Sequence, residues 1–131
     1  MNTMQDFIYD DEPKVYNEGN AYIAHIDAVS SKKELFAELS KKLYFPEYFG
    51  FTWDGLLDML CDLSWLNEKK IILSHDDLPT LCDSDMKAYL EILLEALKLW
   101  RTVEAENRLK ILFPKKAKGL IDYYKQAEPF S

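Results

Sequence analysis

Three aspartates recur every fourth residue near the middle of the chain, at Asp54, Asp58 and Asp62. Four residues advance an α-helix by about 400°, so on a helix these carboxylates form one slowly drifting stripe. Neighbouring carboxylates can serve as a general acid and base, or they can pair with a cationic surface. Like charges at this spacing destabilise a helix by about 0.2–0.5 kcal/mol per pair. A helix that carries such a stripe despite this repulsion favours the interpretation of a surface that binds a positively charged partner.

The stripe belongs to a segment, 45–68, that has five acidic residues and no Lys or Arg. These acids are Glu47, Asp54, Asp58, Asp62 and Glu68. The ordinary interpretation is a solvated helix face, but solvated faces usually alternate charges of both signs. Aromatic residues lie beside the acids, at Tyr48, Phe49, Phe51 and Trp53. Neighbouring side chains in one loop point in different directions, so we expect Tyr48 to be exposed and Trp53 to be mostly packed. Exposed Tyr and Trp residues are typical anchors of protein interfaces.

The charge balance of the whole chain points away from nucleic acid. Sixteen Lys and Arg against 23 Asp and Glu give a formal net charge of −7 and a pI near 4.8. Phosphate binding needs clustered Lys and Arg, so DNA and RNA are disfavoured as ligands. A basic protein, attracted by the complementary field, is the partner that fits this composition.

The remaining reactive residues form no recognisable catalytic or metal-binding motif. His25 and His75 are fifty residues apart, and Cys61 and Cys82 are not in a CxxC motif. We therefore interpret the histidines as structural and expect no disulfide to be required. The sequence also lacks a Gly-rich phosphate loop. A small hydrolase with paired carboxylates stays open as an alternative, but we expect no catalytic residue, metal or cofactor.

Length and hydropathy predict a single domain that does not span a membrane. The chain has 131 residues, and we expect it to be monomeric when free. Residues 1–12 are acidic and lack the apolar region of a signal peptide. No run of eighteen apolar residues occurs, so we expect no membrane association and a cytoplasmic location.

Apolar periodicity predicts the elements that must position the acidic stripe. We predict strands at 21–29, 69–74 and 108–113, and helices at 31–44, after residue 52 and at 84–105. This order predicts an α/β fold with a small three-stranded parallel sheet covered by helices. Residues 1–20 are predicted to be an acidic N-terminal extension with at most a short strand around 7–9. Residues 114–131 are predicted to be a polar tail that can form one short helix.

Local signals predict the helix boundaries around the stripe. Ser31–Glu34 has the spacing of a capping box, which begins a helix. Pro46 ends that helix, and Gly50 is expected to allow the turn that follows. Thr52 is suited to be the N-cap of the acidic helix, where the helix dipole favours Asp54 in the first turn.

Residues 45–60, FPEYFGFTWDGLLDML, resemble the Pro-Glu-Tyr-Tyr-Gly-x-Asn-x-Asp-Ala-Leu-x-Asp-x-Leu segment of the barstar family. Barstar is an intracellular inhibitor of a secreted ribonuclease. The predicted elements of 21–113 follow the order of that fold, so the resemblance implies a barstar-like domain over these residues. It also implies an immunity protein that binds a basic ribonuclease toxin and occludes its active site by imitating anionic RNA.

The resemblance assigns roles to individual residues. Tyr48, Phe49 and Gly50 match the inhibitory loop, and Asp54 matches the first helix aspartate. The second aspartate matches Asp58, which in the family enters the ribonuclease active site where an RNA phosphate would sit. Among the aspartates, a contact role is favoured most for Asp58 and least for Asp62. The resemblance implies that the partner is contacted by eight residues: Tyr48, Phe49, Gly50, Thr52, Asp54, Asp58, Asp62 and Glu95.

The segment also departs from the family pattern. Thr52 occupies the position of an Asn, Phe51 that of an acid, and Leu57 that of a tryptophan. The contact surface is therefore less polar, and we expect the general role to hold with a different partner. A barstar-like adaptor that binds a basic protein other than a nuclease is the alternative.

Overall fold

The computed structural model describes residues 7–102 and 108–126. In these ranges one parallel sheet has four strands: β1 (Ile8–Asp10), β2 (Tyr22–Ile26), β3 (Ile71–His75) and β4 (Leu109–Pro114). The order across the sheet is β1-β4-β3-β2. The predicted α/β class with a parallel sheet is confirmed, but the predicted number of three strands was wrong by one.

β1 is the strand that the three-stranded prediction missed. Ile8 pairs with Leu112 of β4 at the edge of the sheet. Phe7, directly before β1, is buried and packs edge-on against Phe113 with ring centroids 5.1 Å apart. A strand of three residues is too short for periodicity to separate from its acidic surroundings, so only the apolar triplet at 7–9 indicated it.

Across the described ranges four α-helices accompany the sheet: α1 (Lys32–Leu43), α2 (Trp53–Asp62), α3 (Asp83–Thr102) and α4 (Lys118–Gln126). α1 begins at the predicted capping box, because Ser31 Oγ accepts the Glu34 N–H at 3.1 Å. Glu34 Oε1 in turn accepts the Ser30 N–H at 2.9 Å. The predicted end of the third helix, at 103–105, lies outside the described residues. None of the described helices is long and apolar enough to cross a bilayer.

The sheet has buried residues on both faces. Successive side chains of a strand point to opposite sides. Leu73 and Ile111 lie in the main core with the helices. Their neighbours Ile72 and Leu112 point to the other side, and these side chains are also 0% exposed. The second face of the sheet is therefore covered as well.

Residues 11–20 provide contacts on that second face. Ser74 Oγ of β3 donates a hydrogen bond to the Pro13 carbonyl at 3.2 Å. The Lys110 ammonium of β4 donates to Glu18 Oε1 at 2.9 Å, and Lys70 pairs with the same carboxylate at 3.7 Å. The hydrogen bond from the Tyr16 hydroxyl, followed by the contact with Lys110, holds the pKa of Glu18 below its ordinary value. Residues 7–20 therefore pack against the sheet, although their composition alone predicts an extension.

Candidate partner-binding surface

A tight turn between α1 and α2 presents Tyr48 to solvent. The Phe49 N–H donates to the Pro46 carbonyl at 3.1 Å, which places Glu47 and Tyr48 at the tip of the turn. Tyr48 is 71% exposed, and Glu47 is exposed beside it. The structure therefore places Tyr48 at the surface, where the sequence analysis puts it.

Buried aromatic rings on both sides of the tip fix this turn. Phe45 and Phe49 are buried, and their ring centroids lie 5.0 Å apart in an edge-on contact. Phe49 also packs edge-on against Phe36 of α1, at 5.6 Å. Phe49 thus supports the turn from the core. This buried position does not favour the direct partner contact that was predicted for Phe49.

The left-handed residue of this loop is not the glycine that the sequence analysis expected. Gly50 is exposed and has nothing within 4 Å of its Cβ position, and its backbone is not left-handed. The positive φ of 56° belongs to its neighbour Phe51. The expectation that Gly50 supplies the turn through its conformational freedom was wrong, since a phenylalanine adopts that conformation instead.

Thr52 begins α2 and orients its first turn. Thr52 Oγ1 accepts the Gly55 N–H at 2.9 Å, as an N-cap residue does. Trp53 is half-buried, and its ring lies 4.9 Å from that of Phe36. The Trp53 indole N–H also approaches Asp85 Oδ1 of α3 at 3.4 Å. α2 is therefore held at its start by both α1 and α3.

The acidic stripe lies on the exposed side of α2. Asp54, Asp58 and Asp62 are all exposed, while Leu56 and Leu60 of the same helix are buried. Asp62 Oδ1 accepts the Ser64 N–H at 3.2 Å. In residues 7–102 and 108–126, Asp54 and Asp58 take part in no ion pair. Both carboxylates are therefore available to a cation on another molecule.

Arg108 holds the far end of α2, and sequence reasoning did not find it. Its guanidinium donates to the carbonyls of Leu63 at 2.8 Å, Leu66 at 2.8 Å and Glu68 at 2.9 Å. α2 has no basic residue in its own last turn. Arg108 supplies a positive charge there from the chain just before β4, where it interacts favourably with the C-terminal end of the helix dipole. A single arginine before a strand gives no periodic signal that could have identified this role.

Glu95 joins the acidic surface from α3. It is exposed and forms a solvent-exposed ion pair with Lys98 at 3.7 Å. Burial, and then the negative charges of Asp58 and Glu95, raises the pKa of the Cys61 thiol. Cys61 lies on α2 and is half-buried, so carboxylates of two different helices, α2 and α3, affect one thiol. Asp58 and Glu95, which lie on different helices, therefore both belong to the surroundings of Cys61.

This surface can bind cations and offer aromatic contacts. Its chemistry consists of exposed carboxylates on α2 and α3 together with the exposed Tyr48 ring in the turn before α2. In the part of the chain that the structure describes, no group of three or more His, Cys, Asp or Glu side chains is placed to hold a metal ion.

Comparison with known proteins gives one family. The family model described as barstar, the barnase inhibitor, matches residues 21–113. Searches of curated proteins and of solved structures each give no significant match. Members of this family are inhibitors rather than enzymes, and the match supports a ribonuclease-inhibitor-like role. Because the match covers more than half of the chain and includes the turn, α2 and α3, the chain belongs to the barstar family.

Proposed function

We propose that this protein is an immunity protein that binds a basic ribonuclease toxin and occludes its active site. The observation that carries this proposal is the position of Asp58. Its carboxylate is exposed, has no cation of its own among the described residues, and shares the Cys61 neighbourhood with Glu95. Such a protein would act in the cytoplasm, on toxin that has entered or has been made there.

The mechanism is imitation of the anionic substrate. A ribonuclease cleft binds phosphates with cationic side chains, and carboxylates at the same spacing can pair with those cations. Asp58 and Glu95 would enter the cleft, and Asp54 and Asp62 would extend the negative field along α2. Tyr48 would contact the rim, with Gly50 and Thr52 holding the backbone that leads into α2.

Electrostatics would contribute more to the rate of association than to the final affinity. The segment 45–68 has five acids and no basic residue, so its field attracts a basic protein before contact. This attraction is screened by salt, whose Debye length is about 10 Å at 0.1 M. Affinity would rest on a few desolvated pairs and on the aromatic anchor at Tyr48.

Inhibition assays test this function. The protein would be titrated into a panel of basic microbial ribonucleases of the barnase type, with cleavage of a fluorogenic RNA as the readout. We expect stoichiometric inhibition of at least one member, weakened by added salt, and no RNA cleavage by the protein alone. Binding without inhibition would favour the adaptor function instead. Inhibition of no member, or RNA cleavage by the protein itself, would contradict the proposal.

A further inference from the structure

Three exposed aromatic side chains lie within eight residues of the chain around the turn. Tyr44 is 64% exposed, Tyr48 is 71% exposed and Phe51 is 44% exposed. We call these three residues the aromatic patch. Of the three, only Tyr48 matches a contact residue of the family motif, and Tyr44 lies before the segment that resembles this motif.

The backbone at both ends of this patch is unfavourable. Among the described residues, the positive φ values outside glycine are 56° at Tyr44, 56° at Phe51 and 50° at Leu63. Leu63 is fully buried, so packing in the core accounts for its conformation. Tyr44 is the C-cap of α1, where a left-handed residue is common but is usually glycine, and Phe51 is exposed directly before the N-cap Thr52. A glycine would remove the steric cost at such positions, and non-glycine residues in this conformation concentrate at functional sites.

The exposed rings are nevertheless held in place. The Tyr44 N–H donates to the Ser40 carbonyl at the end of α1, and its ring lies 6.4 Å from that of Tyr22. The Phe51 ring lies 5.2 Å from that of Phe49 and 5.9 Å from that of Phe36. Rings that are positioned before binding lose less conformational freedom when a partner covers them.

From these observations we infer that the aromatic patch is a second part of the partner interface, and that Tyr44 and Phe51 determine which ribonuclease is bound. This inference rests on the proposed function. The occupant is the rim of the ribonuclease cleft, with arginine and apolar side chains facing the patch. Arginine suits this position because its guanidinium stacks on aromatic rings and also pairs with a carboxylate such as Glu47 at the tip.

The two parts of the interface have different chemical roles. Carboxylates on α2 attract any basic cleft, so they discriminate poorly among basic ribonucleases. Aromatic contact requires a rim of matching shape, so it separates one basic partner from another. The aromatic contribution depends little on salt, whereas the contribution of the carboxylates is screened.

The test uses Tyr44→Gly and Phe51→Gly in the full chain, with Tyr123→Ala as the matched control. Tyr123 is an aromatic residue of α4 that is 63% exposed, outside the patch. The Kd for a catalytically inactive form of a panel ribonuclease that the wild type inhibits is measured at about 50 mM and about 500 mM salt. Each glycine variant should weaken binding by about tenfold or more at both salt concentrations. The thermal midpoint of Tyr44→Gly should be unchanged or higher, whereas Phe51→Gly loses ring packing on Phe36 and Phe49 and should melt lower while staying folded at the temperature of the binding assay. Tyr123→Ala should bind like the wild type.

The outcomes separate this inference from the function on which it rests. If the glycine variants bind like the wild type while Asp58→Ala binds weakly, the inference is overturned and the proposed function stands. If the wild type binds no ribonuclease of the panel, both are overturned. Weak binding of Tyr44→Gly together with a lowered thermal midpoint of that variant would indicate a structural role and overturn the inference. Tyr44→Asn, in which asparagine also tolerates the left-handed conformation, must reproduce the result of Tyr44→Gly.

Discussion

Asp58 on α2 and Glu95 on α3 both act electrostatically on one thiol, since after burial their negative charges raise the pKa of Cys61. The negative surface is therefore not a property of one helix. Its position depends on how α2 packs against α3, which the Trp53–Asp85 contact and the buried faces of both helices maintain. A cation that binds between Asp58 and Glu95 would be recognised by tertiary structure rather than by local charge density.

Asp58→Ala is expected to weaken ribonuclease binding much more than Asp62→Ala. Asp58 shares its surroundings with Glu95, whereas Asp62 lies at the end of α2 and already accepts a hydrogen bond from Ser64. Removing one partner of a desolvated charge pair costs about 2–5 kcal/mol in general, and Asp62→Ala should cost less than about 1 kcal/mol. Isothermal titration measures both values, and equal losses would show that the centre of the surface is wrongly assigned.

The two ends of the acidic stripe should affect stability in opposite directions. Asp54 lies in the first turn of α2 and Asp62 is its last residue. The helix dipole stabilises a negative charge at the first position and destabilises one at the second, by about 0.3–1 kcal/mol each. Asp62→Asn should therefore raise the free energy of unfolding, and Asp54→Asn should lower it. Urea unfolding of both variants at low salt measures the difference, and shifts of the same sign would be inconsistent with a dipole effect.

Replacement of Gly55 should disturb the N-cap of α2. A Cβ at Gly55 would lie 2.9 Å from Thr52 Oγ1, whereas a Cβ at Gly119 of α4 would have nothing within 4 Å. Gly55→Ala should lose the cap, which contributes about 0.5–2 kcal/mol, against a gain in helix propensity of up to about 1 kcal/mol. Gly119→Ala should show only the gain. Chemical unfolding compares the two, and in a Thr52→Ala background the deficit of Gly55→Ala should disappear.

Partner binding should protect Cys61 from alkylation and leave Cys82 reactive. Cys61 is half-buried and the charges of Asp58 and Glu95 contribute to raising its pKa, whereas Cys82 is exposed just before α3. Cys82 and Glu95 are thirteen positions apart along α3, which corresponds to about 20 Å. Iodoacetamide labelling followed by mass spectrometry gives both rates in one experiment, with Cys82 as the internal control. Unchanged labelling of Cys61 in a saturated complex would place the interface elsewhere.

The sequence predicts the secondary elements better than it predicts the contacts between them. Periodicity and the Ser31 capping box predict α1, and an apolar run predicts β3, because both signals are local. The contacts of Arg108 with the carbonyls after α2 join positions about forty residues apart, and no local pattern encodes them. The same limit applies to Phe49, since an aromatic residue in a loop can point toward solvent or toward the core. Tyr44 is a further example, because it ends α1 with a left-handed backbone. The residue type does not predict this conformation, which is unfavourable for a tyrosine.

A buried histidine should make the fold sensitive to acid. His75 is fully buried, its Nδ1 lies 2.9 Å from the Leu112 carbonyl oxygen, and its Nε2 lies 2.8 Å from the Tyr89 hydroxyl. The carbonyl can only accept, so Nδ1 carries the proton and Nε2 accepts the Tyr89 O–H, which satisfies a neutral ring. Burial lowers the pKa of His75 from 6.5 to about 3, despite the opposing effect of the Leu112 carbonyl.

The sign of the effect on stability follows from this shift. Between pH 6.5 and about 3 the unfolded chain binds a proton at His75 that the folded protein does not bind. The stabilisation is therefore complete above pH 6.5 and decreases as the pH falls, by at most about 1.4 kcal/mol per pH unit. His75→Gln should be less stable at neutral pH, because it loses the stacking of the His75 ring on Phe113. Its free energy of unfolding should nevertheless fall less steeply with acid than that of the wild type. Urea unfolding from pH 7.5 down to pH 4.5 measures both curves, and parallel curves would mean that His75 becomes protonated without unfolding the protein.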